Sequence, residues 1–312
     1  MTDTVLIAEL HGGRIHMGLT RMGQRVDQSV RYLCQTPEHL EQVIDDYLCS
    51  AGSPILAAAA FSADGWQRPG GLERPNSFAL EREALKAWTG VQRLTLVNNF
   101  VATALAIPTL KTNEIQSLKP GTVESEQVIA VVGAGRGLGV SGLVPDGYGS
   151  WIAMPTEGGS VDLVALSRRE DAILSHLATL FDHVAFEHVL SEGGLGNIWQ
   201  ALCVLDGDKP EQPTSEEILI RARLGHERAL ETIQLFSGWM GTMTSNLVLT
   251  MGARGGVYLT GSLLGELWDL FDQPLFLQRF GFKGTTSPFL EEIAINRISV
   301  ANPAMIGLAT LF

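Results

Sequence analysis

The hydrophobic pattern divides the chain into short apolar runs and longer amphipathic stretches. Residues 5–8 (Val5-Leu6-Ile7-Ala8) form an apolar run that reads as a strand, His11-Gly12-Gly13 a turn, and residues 15–19 a returning strand. The period then lengthens. Leu40, Val43, Ile44, Tyr47 and Leu48 share one helical face, with Thr36 suited to the N-cap, Pro37 to the first helical position and Gly52 to the end. Residues 55–61 lack polar alternation, which predicts a strand covered on both faces. A Gly- and Pro-rich loop over 64–75, a helix over 80–89 and a strand over 94–97 follow. After Asn98-Asn99 an apolar helix begins at Phe100 and runs to Ile107, with Pro108 behind it.

Past a boundary expected near residues 108–119, residues 128–132 and 138–144 read as two strands around a glycine turn. Long helical patterns then dominate. Thr214-Ser215-Glu216-Glu217 is a capping-box signature, and a helix is expected from about Glu227 to Thr250, ending at Gly252. Residues 257–261 form another glycine-flanked strand. The chain closes with a strand near 298–300 and a helix start at Pro303. Trp199, Trp239 and Trp268 fall in apolar patterns and read as core.

Length and composition narrow the function classes. At 312 residues the chain fits two domains of roughly 150 residues each. Twenty-two Lys and Arg against 34 Asp and Glu give a net charge of -12, and no basic stripe interrupts it, so nucleic acid is not the expected partner. Cys34, Cys49 and Cys203 lie far apart, as expected of reduced thiols in a cytosolic protein. No basic leader precedes the first apolar run, and residues 55–61, the longest such run, fall short of the roughly 20 needed to span a bilayer. A cytoplasmic protein without a membrane segment is expected. His183 and His188 lack a third ligand at metal spacing, and Ser191 lacks the partners of a nucleophilic serine.

Three glycine turns stand at strand ends: Gly12-Gly13, Gly133 to Gly139, and Gly255-Gly256. Such turns let a phosphate approach backbone N–H groups, although a Gly-Gly after a strand also suits a tight hairpin. The middle turn opens a strand rather than a helix, so it is no dinucleotide fingerprint, and no segment matches a P-loop.

Larger stretches carry a resemblance. Leu96-Val97-Asn98-Asn99-Phe100-Val101-Ala102 with Ala106-Ile107-Pro108 resembles the catalytic-strand segment of bacterial glucokinases. Gly133-Ala134-Gly135-Arg136-Gly137-Leu138-Gly139-Val140 resembles their second phosphate loop, Pro155-Thr156-Glu157-Gly158-Gly159-Ser160-Val161-Asp162 their sugar-binding loop, and the segment from Glu187 to Leu195 the next sugar-contacting one. Gly255-Gly256-Val257-Tyr258-Leu259-Thr260-Gly261 resembles the adenosine motif. Order and spacing hold over essentially the whole chain.

The resemblance implies the two-domain α/β actin-like, hexokinase-type (ribonuclease H-like) fold with a sugar cleft between the domains. It implies a small domain over 1–108, joined by the tail 300–312, and a large one over 109–299. It implies ATP and Mg²⁺ as cofactors, glucose or a related hexose as substrate, transfer to the 6-hydroxyl, and a possible homodimer. Its sugar-binding positions are Asn76, Asn98, Asn99, Glu157, Ser160 and Glu187. Its phosphate-binding positions are Gly12, Gly13, Arg14, Gly133, Gly135, Arg136, Gly137, Gly255 and Gly256, with Glu9 a candidate for the metal.

Several of these positions depart from the family pattern. The catalytic aspartate is Asn99, whose amide accepts a hydrogen bond but takes no proton near neutral pH. The first phosphate loop has Glu9 one place farther from the glycines than the family's carboxylate, and Arg14 where a threonine stands. Arg136 replaces the second loop's threonine; two readings stand, a cation that grips a phosphate and one that fills its place. Ser160 and Asn76 each replace a histidine. The expected protein is a glucokinase relative that binds a hexose and has weak or no kinase activity. The alternatives are an active hexose kinase and a sugar-responsive regulator acting through a protein partner.

Overall fold

The structure, a computed structural model, describes residues 3–74, 77–122 and 126–312. The chain divides into two compact units. The first comprises Met1–Glu114, Trp151–Pro155 and Val300–Phe312, the second Ile115–Ser150 and Thr156–Ser299.

In the first unit a five-stranded sheet runs in the order Val30–Leu33, Arg14–Arg21, Thr4–His11, Ala58–Ala63, Leu94–Asn98. The first three strands are antiparallel and the last three parallel. Thr4–His11 is apolar on both faces because both are covered. Leu6, Ala8 and Leu10 pack with Leu40 and Ile44 of the helix Pro37–Ser50. Val5 and Ile7 point the other way, toward Ala102 of the helix Asn99–Ala106 and Met305 and Leu308 of the tail helix Pro303–Ala309. The two helices cross so closely that a Cβ at Gly307 would lie 1.7 Å from the Ala102 carbonyl oxygen.

In the second unit the strands follow the order Leu138–Pro145, Ile129–Ala134, Val257–Thr260, Ile295–Ile298, Ile115–Lys119. The middle three are parallel, and the outer two pair antiparallel. Trp199, Phe236 and Trp239 are buried in one core, with Trp268 partly buried against it. The 25-residue helix Glu227–Met251 crosses this core, and Gly252 (φ 62°) ends it. Thr214 forms the expected capping box with Glu217.

Several elements differ from the sequence expectation. The strand expected over 55–61 is Ala58–Ala63, because its register is fixed by parallel pairing of Ala58 with Val5, and Ile55 is left 80% exposed. The loop expected over 64–75 holds short antiparallel strands, Trp66–Arg68 and Gly71–Glu73, the latter paired to Leu80–Glu81. The helix there accordingly starts at Arg82. The last strand is Ile295–Ile298, ahead of the expected 298–300. All three cysteines are free, and burial pushes the Cys34 thiol up to about 11. Among the described residues no helix is long and apolar enough to cross a membrane.

Candidate functional site

The parallel strands of the first unit end beside Asn98 and Asn99. Asn98 is the N-cap of its helix: its Oδ1 accepts the Phe100 N–H at 2.7 Å while its Nδ2 donates to the Gly65 carbonyl. The side chain therefore holds two backbone segments in place. Asn99 is the first helical residue and only 8% exposed. Its Nδ2 donates to the Leu10 carbonyl at 3.0 Å, and its Oδ1 is buried without a protein partner among the described residues. The Leu10 carbonyl thus fixes which end of the amide points onward. What remains is an acceptor, suited to receive a hydrogen bond from a hydroxyl.

The first glycine turn is a tight hairpin. His11 pairs with Arg14, and Gly12 (φ 60°) and Gly13 (φ 73°) are both left-handed, as a type I′ turn demands. Arg14 is exposed. Glu9 and Leu10 point to opposite faces because strand side chains alternate. Glu9 lies on the face of Val5 and Ile7, next to His16 and Ser62 in the two adjoining strands. His16 Nδ1 and Ser62 Oγ are, like Asn99 Oδ1, buried without a partner among the described residues. Burial, then the Arg31 guanidinium, holds His16 below the usual histidine range.

Burial pushes the Glu9 carboxyl up to about 7, against the pull of Arg31. The folded chain therefore keeps a proton that the unfolded chain loses near the ordinary value of 4.5. The associated stability is complete below that value and is lost as pH rises through 7. At about 1.4 kcal/mol per pKa unit, the cost at pH 8 is on the order of 3 kcal/mol. Glu9→Gln is expected to raise the denaturant midpoint at pH 8, by an amount that shrinks toward pH 4.5. Equal midpoints at pH 8 would contradict a desolvated Glu9 carboxyl.

In the second unit Gly135, Arg136, Gly137, Glu157, Ser160 and Glu187 lie around the start of strand Leu138–Pro145. Gly135-Arg136-Gly137 is a three-residue turn between the paired Ala134 and Leu138. Glu187 Oε2 accepts the Leu138 N–H at 2.9 Å, and a Cβ at Gly137 would come within 2.7 Å of that oxygen. Glycine is needed there for the carboxylate to reach the backbone. The sugar-type loop is tied to the same strand: Thr156 Oγ donates to the Val140 carbonyl at 2.9 Å. A Cβ at Gly159 would lie 2.0 Å from the Leu138 carbonyl oxygen. Partial desolvation, then the charge of Glu187, pushes the carboxyl of the surface residue Glu157 up, so the two carboxylates are within electrostatic reach. Glu157, Ser160 and Glu187 are all exposed, and Ser160 N–H donates to the Glu157 carbonyl at 3.0 Å. Paired acceptors beside a hydroxyl and a rigid backbone suit a polyol.

Other candidates lie elsewhere. Gly133 and Gly135 border Thr260 and Ser262, at the C-terminal end of strand Val257–Thr260. Gly255 and Gly256 precede that strand, beside Val128 and Ala294, so the structure does not gather them with the Gly133–Gly139 turn. Gly261 (φ 109°) occupies the end where ligands of open α/β sheets bind, and the sequence candidates omitted it. Its position after a strand was the available signal. Asn76 lies outside the described residues. His183 meets Asp162 at 2.8 Å, His188 stacks on Phe181, and no three His, Cys, Asp or Glu among the described residues group to hold a metal.

Two α/β units with glycine turns at their strand ends have the two-domain actin-like hexokinase fold. A glucokinase from an Antarctic psychrotroph matches the fold with a TM-score of 0.86 at 23% identity, covering 100% of this chain and 99% of that one. A ROK family glucokinase from Streptomyces griseus in complex with glucose and AMPPNP matches with 0.69 at 14%, covering 99% and 98%. The glucokinase family model matches residues 6–312, and the chain belongs to the glucokinase family. A glucokinase from Paramagnetospirillum magneticum is 35% identical over 318 residues, covering 100% of this chain and 98% of that protein.

Proposed function

We propose that this chain binds glucose or a related hexose through Glu157 and Glu187 and transfers the γ-phosphoryl group of ATP to the 6-hydroxyl only slowly. The observation that carries this reading is Asn99, a buried amide whose donor end is tied to the Leu10 carbonyl. Its free Oδ1 orients the attacking hydroxyl but leaves the proton on it. General-base assistance typically supplies about 10²–10⁴ in rate, and that share is forfeited. Sugar and nucleotide are the small-molecule partners of the proposal. A cytoplasmic setting, a homodimer and no nucleic-acid role complete it, the last supported by the net charge of -12.

Calorimetry with glucose tests the sugar side. Glucose is expected to bind the full chain, and Glu187→Ala to weaken binding by about tenfold or more, since a hydrogen bond to a charged group contributes roughly 1.5–3 kcal/mol. No heat with glucose would end the reading. A second reading, an undiminished glucokinase, is favoured by the 35% identity to a glucokinase across the whole chain.

A further inference from the structure

We propose that Ser191 is a positioning residue for the Glu187 carboxylate: its hydroxyl holds the Glu187 main chain where the carboxylate reaches both the Leu138 N–H and a sugar hydroxyl. The inference rests on the reading of Glu187 as a hexose ligand, and all of its parts lie in the second unit.

The segment that carries Glu187 is short. Phe186–His188 is a single 3₁₀ turn, and the helix Glu192–Leu205 follows it closely. An exposed side chain on so short a turn has no long helix or strand of its own to fix it. Two side chains from the following helix tie the turn down instead. Ser191, the N-cap, donates its Oγ–H to the Glu187 carbonyl at 2.8 Å. Asn197 donates Nδ2 to the His188 carbonyl at 3.0 Å.

The direction of the Ser191 hydroxyl follows from its partners. The Gly194 N–H meets the same Oγ at 3.0 Å and can only donate, so the oxygen accepts there and its proton goes to the carbonyl. Both roles of the hydroxyl are therefore taken, which gives a use to a serine without a nucleophile's partners. Ser191 is 5% exposed, so water does not readily replace it. The packing is close as well: a Cβ at Gly194 would come within 2.6 Å of the Val189 main chain.

At its other end Glu187 is held through Oε2, which accepts the Leu138 N–H at 2.9 Å and leaves Oε1 for a ligand. Carbonyl and carboxylate are thus both anchored before any sugar arrives. Freeing the carbonyl restores motion that binding must then arrest, and that ordering is subtracted from affinity. Ser191 acts on the sugar through Glu187 alone.

A double-mutant cycle on the full chain, read by glucose calorimetry, is the test. Ser191→Ala is expected to weaken glucose binding by about fivefold, within the range of one neutral hydrogen bond. In a Glu187→Ala background the same change should alter binding by less than about 1.5-fold, because nothing is left for Ser191 to position. Ser191→Gly separates positioning from helix capping. Glycine caps nearly as well as serine, yet it has no hydroxyl to offer the Glu187 carbonyl. Its denaturant midpoint should stay close to that of the unaltered chain while glucose binding falls as in Ser191→Ala. Equal weakening in both backgrounds, or full affinity in either Ser191→Ala or Ser191→Gly, would overturn the inference. Those results in a chain that binds glucose and needs Glu187 defeat only this inference. An unaltered chain that binds no glucose, or full affinity in Glu187→Ala, defeats the reading beneath it.

Discussion

Asn99→Asp is expected to raise ATP-dependent phosphorylation of glucose by about 10²-fold or more, the usual reach of a general base. The gain comes with a structural cost. The Asn99 Nδ2 now donates to the Leu10 carbonyl. A carboxylate cannot donate, and it would set two acceptors against each other in a site only 8% exposed. Losing a buried partner costs roughly 1–3 kcal/mol. That loss should be largest at neutral and alkaline pH and shrink in acid, where a protonated carboxyl can donate to the carbonyl again. Urea titrations at pH 5 and pH 8, run beside the rate assay, separate the two effects. A variant that is folded yet still at background turnover would show that the phosphate turns, rather than the missing base, limit transfer.

Arg279→Met is expected to destabilise the second unit by about 3–5 kcal/mol, the usual consequence of stranding one partner of a buried ion pair. Glu170 is 4% exposed and receives Arg279 Nη1 at 2.6 Å and Nη2 at 3.2 Å. It also accepts the Leu166 N–H at 2.7 Å, and Arg279 Nε reaches Thr242 Oγ1 at 3.1 Å. The pair ties the helix Arg168–Leu177 to Gln273–Gly281, with Glu227–Met251 between them in the network. Removing the cation leaves a buried carboxylate with only the backbone amide. Replacing Glu170 and Arg279 together by apolar residues should cost much less, because no charge is left unpaired. Equal denaturant midpoints for Arg279→Met and the unaltered chain would contradict a buried pair.

Local signals made much of the fold legible. Thr36, Pro37 and Gly52 bracketed a helix observed as Pro37–Ser50, with Thr36 accepting the His39 N–H. The capping box at Thr214 was equally direct. Such caps are set within a few residues, so the sequence displays them. The strand after Pro54 slipped by three residues because apolar character alone does not fix register, and its parallel neighbours do. The two strands inside the expected loop are three residues long and their partner Leu80–Glu81 only two, too short for periodicity to show.

At the site, residue types were readable and their attachments were not. Nothing local tells that Glu187 anchors to the Leu138 N–H or Asn99 to the Leu10 carbonyl, since these pairs lie 49 and 89 residues apart. Gly255-Gly256 and Gly261 look alike in sequence, flanking one four-residue strand. Only strand direction distinguishes the end that faces a ligand. The alternation that turns Glu9 away from Leu10 is elementary strand geometry, but its meaning depends on which face each helix covers.

The turnover number of the unaltered chain, at saturating glucose and Mg-ATP, tests the missing base most directly. Kinases commonly reach about 1–100 s⁻¹. An amide at position 99 predicts a value at least about 10²-fold below that of a family member carrying aspartate there. Turnover within the ordinary kinase range would contradict it and show that another group, or solvent, removes the proton without penalty.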